Sequence, residues 1–401
     1  MALPHKLSGN LIPDAHLAAL AMEHGLEICS TDTDSLASPR FAGSICSPGP
    51  ARQGPIAAPR MSGDLRPGPP RSAPLRGDIG RIGPVPIATV PRRRWGRSSL
   101  SIPVIPFGTQ GFGNMFGAVA EEEATSLVRR AIELGVNHFD CARCYGDSLR
   151  KLGRALRGIP RDSYIVSGRA CLHRDRGDAL HPDRPRHPDD WLPAASADAL
   201  VRDVEEQLEY LGIGYFDALL IHDPPDMERC LGANGALAGG LSLQRRGLVR
   251  HLGFGMRPHD FHRRAIDTGD VDVLLCFNDY NLLRRSAEDG VLPFAAARDV
   301  GVLNGFSIAR GILTGADVDE AARRGRWGST EDVERARRMR QWCLDRDVSL
   351  LHLALQFCLR EPRIHGSPLG SQNIAELEAN VRAVTESLPE GTFAQFAVAH
   401  L

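Results

Sequence analysis

Residues 208–222 read Leu208-Glu209-Tyr210-Leu211-Gly212-Ile213-Gly214-Tyr215-Phe216-Asp217-Ala218-Leu219-Leu220-Ile221-His222. Ser196 is placed to cap a helix that runs to Leu211. After it, Phe216–His222 is an apolar strand without strict alternation, the signature of a strand buried on both faces. Reading outward, the same alternation recurs. Upstream lie strand character at Ser99–Phe107, an amphipathic helix over 121–134, a strand over 137–142, a helix over 148–156 and a strand over 164–167. A polar, Pro-rich loop fills 171–195. Downstream come strands over 249–255, 271–277 and 300–306, helices over 259–267, 286–298 and 349–360, a last strand near 363–369, and helices to the end. Strands alternating with helices argue for βα units and a parallel sheet. Eight buried strands of this kind suit a closed (β/α)8 TIM barrel over 91–401, in the α/β class, and an open doubly wound sheet is the alternative.

The 401 residues and 42% apolar composition leave room for a barrel of about 250 residues or more. A formal net charge of −1 gives no general attraction to nucleic acid or anionic lipid. No apolar run approaches the roughly 18 residues of a membrane span, and no basic-then-apolar leader opens the chain. Nine scattered cysteines, odd in number, suit reduced thiols and a cytoplasmic setting better than a disulfide framework. Lysine occurs only at Lys6 and Lys151, so the basic residues are almost all arginine.

The N-terminus differs in kind. Asp14–His24 reads as a helix capped by Asp14 and ended by Gly25, followed by a short strand over 26–30. Residues 41–90 are dominated by Pro, Gly, Ser, Ala and Arg, a composition that predicts a disordered linker. Ten arginines face two aspartates between 51 and 100, which reads as a solvated basic linker with no nucleic-acid role expected.

Active sites of such barrels lie at the C-terminal strand ends. Those ends carry Asp140 and Tyr145 after the second strand, Arg169 after the third and His222 at the close of the fourth. An acid, a phenol, a cation and an imidazole make a proton-donating set. The phenol ionises near pH 10 unaided, and a neighbouring cation is expected to lower that value toward operating pH. Aspartate would hold the cation and histidine would orient a carbonyl oxygen. Cys141-x-x-Cys144 lacks a second ligand pair, so no metal site is expected there. His259-x-x-His262 reads as a solvated helix face. Gly108-Thr-Gln-Gly-Phe-Gly113 fits a first βα loop better than a Rossmann turn.

Phe139-Asp140-Cys141-Ala142-Arg143-Cys144-Tyr145-Gly146-Asp147-Ser148 resembles the aldo-keto reductase segment in which Asp and Tyr stand five apart. Leu211-Gly212 followed by Phe216–His222, then Asn281-Leu282-Leu283 and Gly311-Ile312-Leu313-Thr314-Gly315, are similar to further landmarks of that family in the same order. The resemblance covers about 91–385. It implies a TIM barrel, an extended NADP or NAD molecule and a tetrad of Asp, Tyr, Lys and His. The lysine falls at Arg169, and the Ser-Asn pair after the fifth strand reads Gly255-Met256. By the same resemblance Asn278 and Phe306 would meet the nicotinamide, and Ser307, Gly311 and Leu313 would line the cofactor. Gly370, Ser371, Gln372, Glu378 and Asn380 would hold its adenosine end. Gln372 stands where the family's arginine grips the 2′-phosphate, so NADP preference is expected to be weak. The implied activity is hydride exchange with an aldehyde, ketone or sugar, and Ile221-His222-Asp223-Pro224 resembles the aldose dehydrogenase branch. A cofactor-binding barrel with little turnover is the rival. Separately, Pro13–Ala21 and Ser30–Asp34 resemble the C-terminal part of PIN-domain ribonuclease toxins. Residues 1–40 would then be a non-functional fragment of such a domain.

Overall fold

A computed structural model describes residues 89–114, 117–171, 196–224, 226–325, 329–399 and 401. The fragment expected at 1–40, nearly all of the 41–90 linker, and the 171–195 loop with Trp191 beyond its first residue lie outside the described residues.

Strands β1 (Arg92–Arg94) and β2 (Ser101–Pro103) pair antiparallel as a hairpin. Seven parallel strands follow in sequence order: β3 (Phe107–Gly108), β4 (His138–Ala142), β5 (Ile165–Cys171), β6 (Phe216–His222), β7 (Val249–Met256), β8 (Val273–Phe277) and β9 (Gly301–Gly305). The two edges of this sheet are joined by the segment that follows the helix Leu350–Arg360. His365 N donates to Val302 O and Asn304 N to Gly366 O on the β9 side; Ser367 N donates to Val104 O and Gly108 N to Leu369 O on the β3 side. This segment was expected as a strand over 363–369. It forms only isolated parallel bridges, Leu303 with Gly366 and Phe107 with Leu369. Pro368, Pro103 and Pro106 offer no amide hydrogen, so a continuous ladder cannot form there.

Helices cover the outer face. Glu121–Glu133 begins with three glutamates, which suit the positive end of the helix dipole, and buries Ala124, Leu127, Val128 and Ala131 at helical spacing. Ala197–Leu211 is capped by Ser196, whose Oγ accepts from Ala199 N at 3.3 Å, and ends at left-handed Gly212. The main apolar cluster lies between sheet and helices, a second lies among the C-terminal helices, and a third fills the inner face. That inner cluster is built on Trp95, Ile102, Ala218, Leu220, Val273, Leu275 and Leu303. Trp95, fully buried, is the hairpin's plug into it. Gly301 permits the insertion: a Cβ there would stand 2.3 Å from Trp95 Cδ1.

Three local expectations are corrected. β5 runs to Cys171 because it pairs with β6 as far as His222, so Arg169 lies within the strand. The helix expected over 286–298 is only Val291–Ala296, because Ser286 Oγ donates to Asp279 Oδ1 (2.9 Å) and Ala287 N to Asp279 O, holding the preceding chain in turns. His262 is no solvated residue: it is fully buried, with Nε2 3.0 Å from Met256 O.

Candidate active site

Side chains alternate along a strand, so one parity of each strand faces the interior. On β4 this parity is His138, Asp140 and Ala142; on β5 it is Ser167, Arg169 and Cys171; on β6 it is Ala218, Leu220 and His222. Register stacks them in layers, with Asp140 beside Ser167 and Cys171 beside His222. Polar groups occupy the layers above the Trp95 plug.

The central pair is Asp140 and Arg169, both buried. The guanidinium grips both carboxylate oxygens, Nε to Oδ1 at 3.2 Å and Nη2 to Oδ2 at 2.5 Å. Ser167 Oγ donates to Asp140 Oδ1 at 3.2 Å, and His138 Nε2 lies 2.9 Å from Ser167 Oγ. The serine's single proton goes to the carboxylate, so His138 carries its own on Nε2. Behind Arg169, Gln207 Nε2 donates to the arginine's carbonyl and to Asp203, which also pairs with Arg143 at 2.8 Å. Burial pushes the Asp203 carboxyl up to about 6 against the pull of Arg143.

Tyr145 is 6% exposed, and the Arg169 Cζ lies 5.7 Å from its ring centre. Its position is fixed by backbone. Tyr145 N donates to Ala142 O, and the first βα loop lies directly on its carbonyl: a Cβ on Gly113 would stand 1.9 Å from Tyr145 O. Lys151 anchors that loop, donating to Phe112 O (2.8 Å), Asn114 Oδ1 (3.0 Å) and Val119 O (2.8 Å). It is therefore engaged away from the Asp140–Arg169 pair. The expected lowering of the phenol is corrected: burial raises the Tyr145 pKa well above its usual value, outweighing Arg169, and Asp140 adds to the rise.

His222 completes the group at the end of β6. Its Nδ1 faces two thiols, Cys171 Sγ at 3.4 Å and Cys144 Sγ at 3.9 Å, while Nε2 lies 3.4 Å from Asp223 Oδ2. Neither sulfur was singled out with His222 from the sequence. Only the strand register, pairing Cys171 with His222, could have revealed the first of them.

The residues expected to hold a dinucleotide fall at the neighbouring strand ends. Asp223, Asn278 and Phe306, directly after β6, β8 and β9, all have positive φ, as do Ala309, Arg310 and Gly311. Non-glycine residues seldom occupy this region, and such strain gathers at binding sites. The Phe306 ring packs 4.2 Å from Phe277, centre to centre. Asn278 Oδ1 accepts from Asn281 Nδ2. Ser307 Oγ is fully buried without a hydrogen-bond partner among the described residues. Leu313 is buried and Gly311 half-buried. After the closing segment, Gly370 is exposed, and Asn380 Nδ2 donates to Ser371 Oγ at 3.1 Å. Two placements differ from a free adenosine-binding set: Glu378 is taken by Arg130 at 2.8 Å, and Arg324 reaches Gln372, Nη2 to Oε1 at 3.0 Å.

The parallel sheet thus gathers an acid, a cation, a phenol and an imidazole toward one end of its strands. The chain belongs to the aldo/keto reductase family, whose profile matches residues 104–399. It is 28% identical over 301 residues to L-galactose dehydrogenase of Arabidopsis thaliana, covering 73% of this chain and 88% of that protein. It is also 28% identical over 318 residues to D-threo-aldose 1-dehydrogenase of a Pseudomonas species, covering 76% and 96%. A solved aldo-keto reductase of Bacillus halodurans, in its holo form, shares the fold with a TM-score of 0.60 at 22% identity, over 77% of this chain and 95% of that one.

Proposed function

We propose that the protein moves a hydride between NADP or NAD and an aldehyde, ketone or sugar, with Tyr145 exchanging the proton. The observation that carries this reading is the buried Asp140–Arg169 pair with the Tyr145 ring beside it, one layer from His222. When bound, the nicotinamide supplies or accepts the hydride. Asn278, Phe306, Ser307, Gly311 and Leu313 would hold its reactive end, and the run of positive-φ residues at Asn278, Phe306 and Gly311 supports that placement. Gly370, Ser371, Gln372, Glu378 and Asn380 would hold the other end, with Glu378 leaving Arg130 to do so. Arg324, drawn to Gln372, stands ready to supply the charge that Gln372 lacks. In the same reading, 364–369 counts as the eighth strand of a (β/α)8 barrel.

In the reducing direction the Tyr145 hydroxyl gives its proton to the oxygen as the carbonyl carbon is reduced. In the oxidising direction its phenolate takes that proton back. Arg169 favours the phenolate, Asp140 holds the arginine, and His222 orients the oxygen. Two relatives named for sugar oxidation, together with Ile221-His222-Asp223-Pro224, favour an aldose substrate.

Tyr145→Phe keeps the ring and deletes only the hydroxyl. With a panel of aldoses and aldehydes, turnover is expected to fall by at least about 10² while the protein still binds NADP or NAD. Unchanged turnover in that variant would remove Tyr145 from the mechanism. Binding without turnover in the parent protein would favour a regulatory barrel.

A further inference from the structure

Cys144, Cys171 and His222 bring two sulfurs and one imidazole nitrogen within 4.8 Å of one another. The His222 Nδ1 lies 3.4 Å from Cys171 Sγ and 3.9 Å from Cys144 Sγ. Around a tetrahedral zinc ion, with Zn–S near 2.3 Å and Zn–N near 2.0–2.1 Å, an N···S edge is about 3.6 Å and an S···S edge about 3.8 Å. The two N···S distances bracket that edge, and the two sulfurs lie within 4.8 Å of each other, so modest side-chain rotation brings all three atoms to the corners of such a tetrahedron. The backbone enforces this. Cys171 and His222 are register partners on adjacent strands and share the interior face, and Cys144 follows β4, whose register fits β5.

The surroundings suit a metal as well. The other nitrogen of His222 faces Asp223 Oδ2 at 3.4 Å, the carboxylate–histidine arrangement that fixes a ligand's tautomer and orientation. The thiols are half-buried rather than sealed in the core. Soft sulfur donors select Zn²⁺ or Cu⁺ over the hard cations. The other cluster of the same kind, His259, Cys276 and Asp279, is engaged internally: Asp279 pairs with His259 at 3.2 Å, accepts from Ser286 and faces Arg257.

We propose that Cys144, Cys171 and His222 Nδ1 form a binding site for a thiophilic divalent cation such as Zn²⁺, with a fourth position left open. Each thiol loses one proton on binding, two in all to solvent. His222 binds through its Nδ1 lone pair and keeps its proton on Nε2, facing Asp223. Occupation fixes the His222 ring and places a dication at the mouth of the proposed catalytic group. Bound zinc therefore blocks the oxidoreductase reaction, a consequence that rests on the reading above, whereas the site itself does not.

The test uses the full chain, reduced with a phosphine and titrated with Co²⁺ alone. One equivalent is expected to give the visible bands of tetrahedral cobalt and a near-ultraviolet thiolate charge-transfer band, both bleached by Zn²⁺. Cys171→Ser and Cys144→Ser should each weaken Co²⁺ binding by more than about a hundredfold, and Asp223→Asn by about tenfold. In the parent protein, Zn²⁺ should shield Cys144 and Cys171 from alkylation, mapped by mass spectrometry without any variant. Zn²⁺ should abolish turnover in the parent and spare the Cys144→Ser/Cys171→Ser protein. Saturation without a thiolate band, equal affinity in Cys171→Ser, or alkylation unaffected by Zn²⁺ would each overturn the site. Loss of turnover that persists in the double variant would overturn the blocking role while leaving the site intact.

Discussion

Arg169 binds Asp140 through two nitrogens, so its charge is directed at the carboxylate and reaches the Tyr145 ring from 5.7 Å. A guanidinium spreads its charge over a planar fork; an ammonium concentrates it at one atom. With burial raising the Tyr145 pKa, the proposed oxidation of an alcohol would be limited by the phenolate fraction, which grows with pH. Arg169→Lys is expected to move the alkaline limb of the pH–rate profile to lower pH and raise turnover at neutral pH. Coincident profiles for the two proteins would show that Arg169 does not tune the phenol. The proximity of Asp140, Arg169 and Tyr145 was legible in the sequence because each lies in or just after one of two neighbouring predicted strands, and His222 closes the next. The thiols beside His222 were not, since 51 and 78 positions separate them from it and only lateral register brings them together.

Within the sheet, the polar layer on β4 and β5 carries a cost that depends on acidity. His138 is fully buried between the Trp95 ring, 5.3 Å away, and Ser167, and its Nδ1 has no partner among the described residues. Burial first, and Arg92 second, depress its pKa to about 3. An unfolded histidine titrates near 6.5, so below that pH the unfolded chain takes up a proton that the folded one refuses. Stability is therefore full above about pH 6.5 and is lost as pH falls toward 3. At pH 4 the His138 contribution to this loss is about 3 kcal/mol. His138→Gln, which retains a donor for Ser167, should flatten the acid limb of urea-derived stability between pH 7 and 4. An acid limb as steep as before would assign the loss to other groups, His262 among them. Periodicity located the parallel strands and many of the helices, but missed Met227–Leu231, Ala236–Arg245, Val318–Gly325 and Thr330–Leu344 and did not fix the element ends. The shortened Val291–Ala296 helix was hidden because the Asp279–Ser286 contact that holds its approach in turns is a side-chain choice no pattern encodes.

At the scale of the whole described region, the hairpin ties the start of the sheet region to the segment after the helix Leu350–Arg360. Trp95 fills the inner face, while Arg93 Nη1 donates to Glu361 O at 3.3 Å and also to Ile364 O, 271 positions away. Trp95→Ala would leave a cavity against Ile102, Leu220, Val273 and Leu303, and is expected to lower stability by about 3–5 kcal/mol in denaturant melts. A loss below about 1 kcal/mol would mean that the plug contributes little. The alternation of strands and helices made the parallel sheet readable. It could not show how the sheet's edges meet, because the joining segment is prolines and single bridges rather than a regular strand.

That joining segment sets an order of events in synthesis. β3 leaves the ribosome early and β9 much later, yet the partner that covers the open edge of each is the stretch around 366–369. Until it emerges, the nascent sheet carries two unpaired margins, and bare strand edges are templates for association with other chains. Because the bridge from Phe107 to Leu369 joins positions far apart in the chain, it is a contact of the kind that forms slowly. A chain ending before residue 366 therefore lacks the segment that, among the described residues, bridges both margins, and is expected to associate through them.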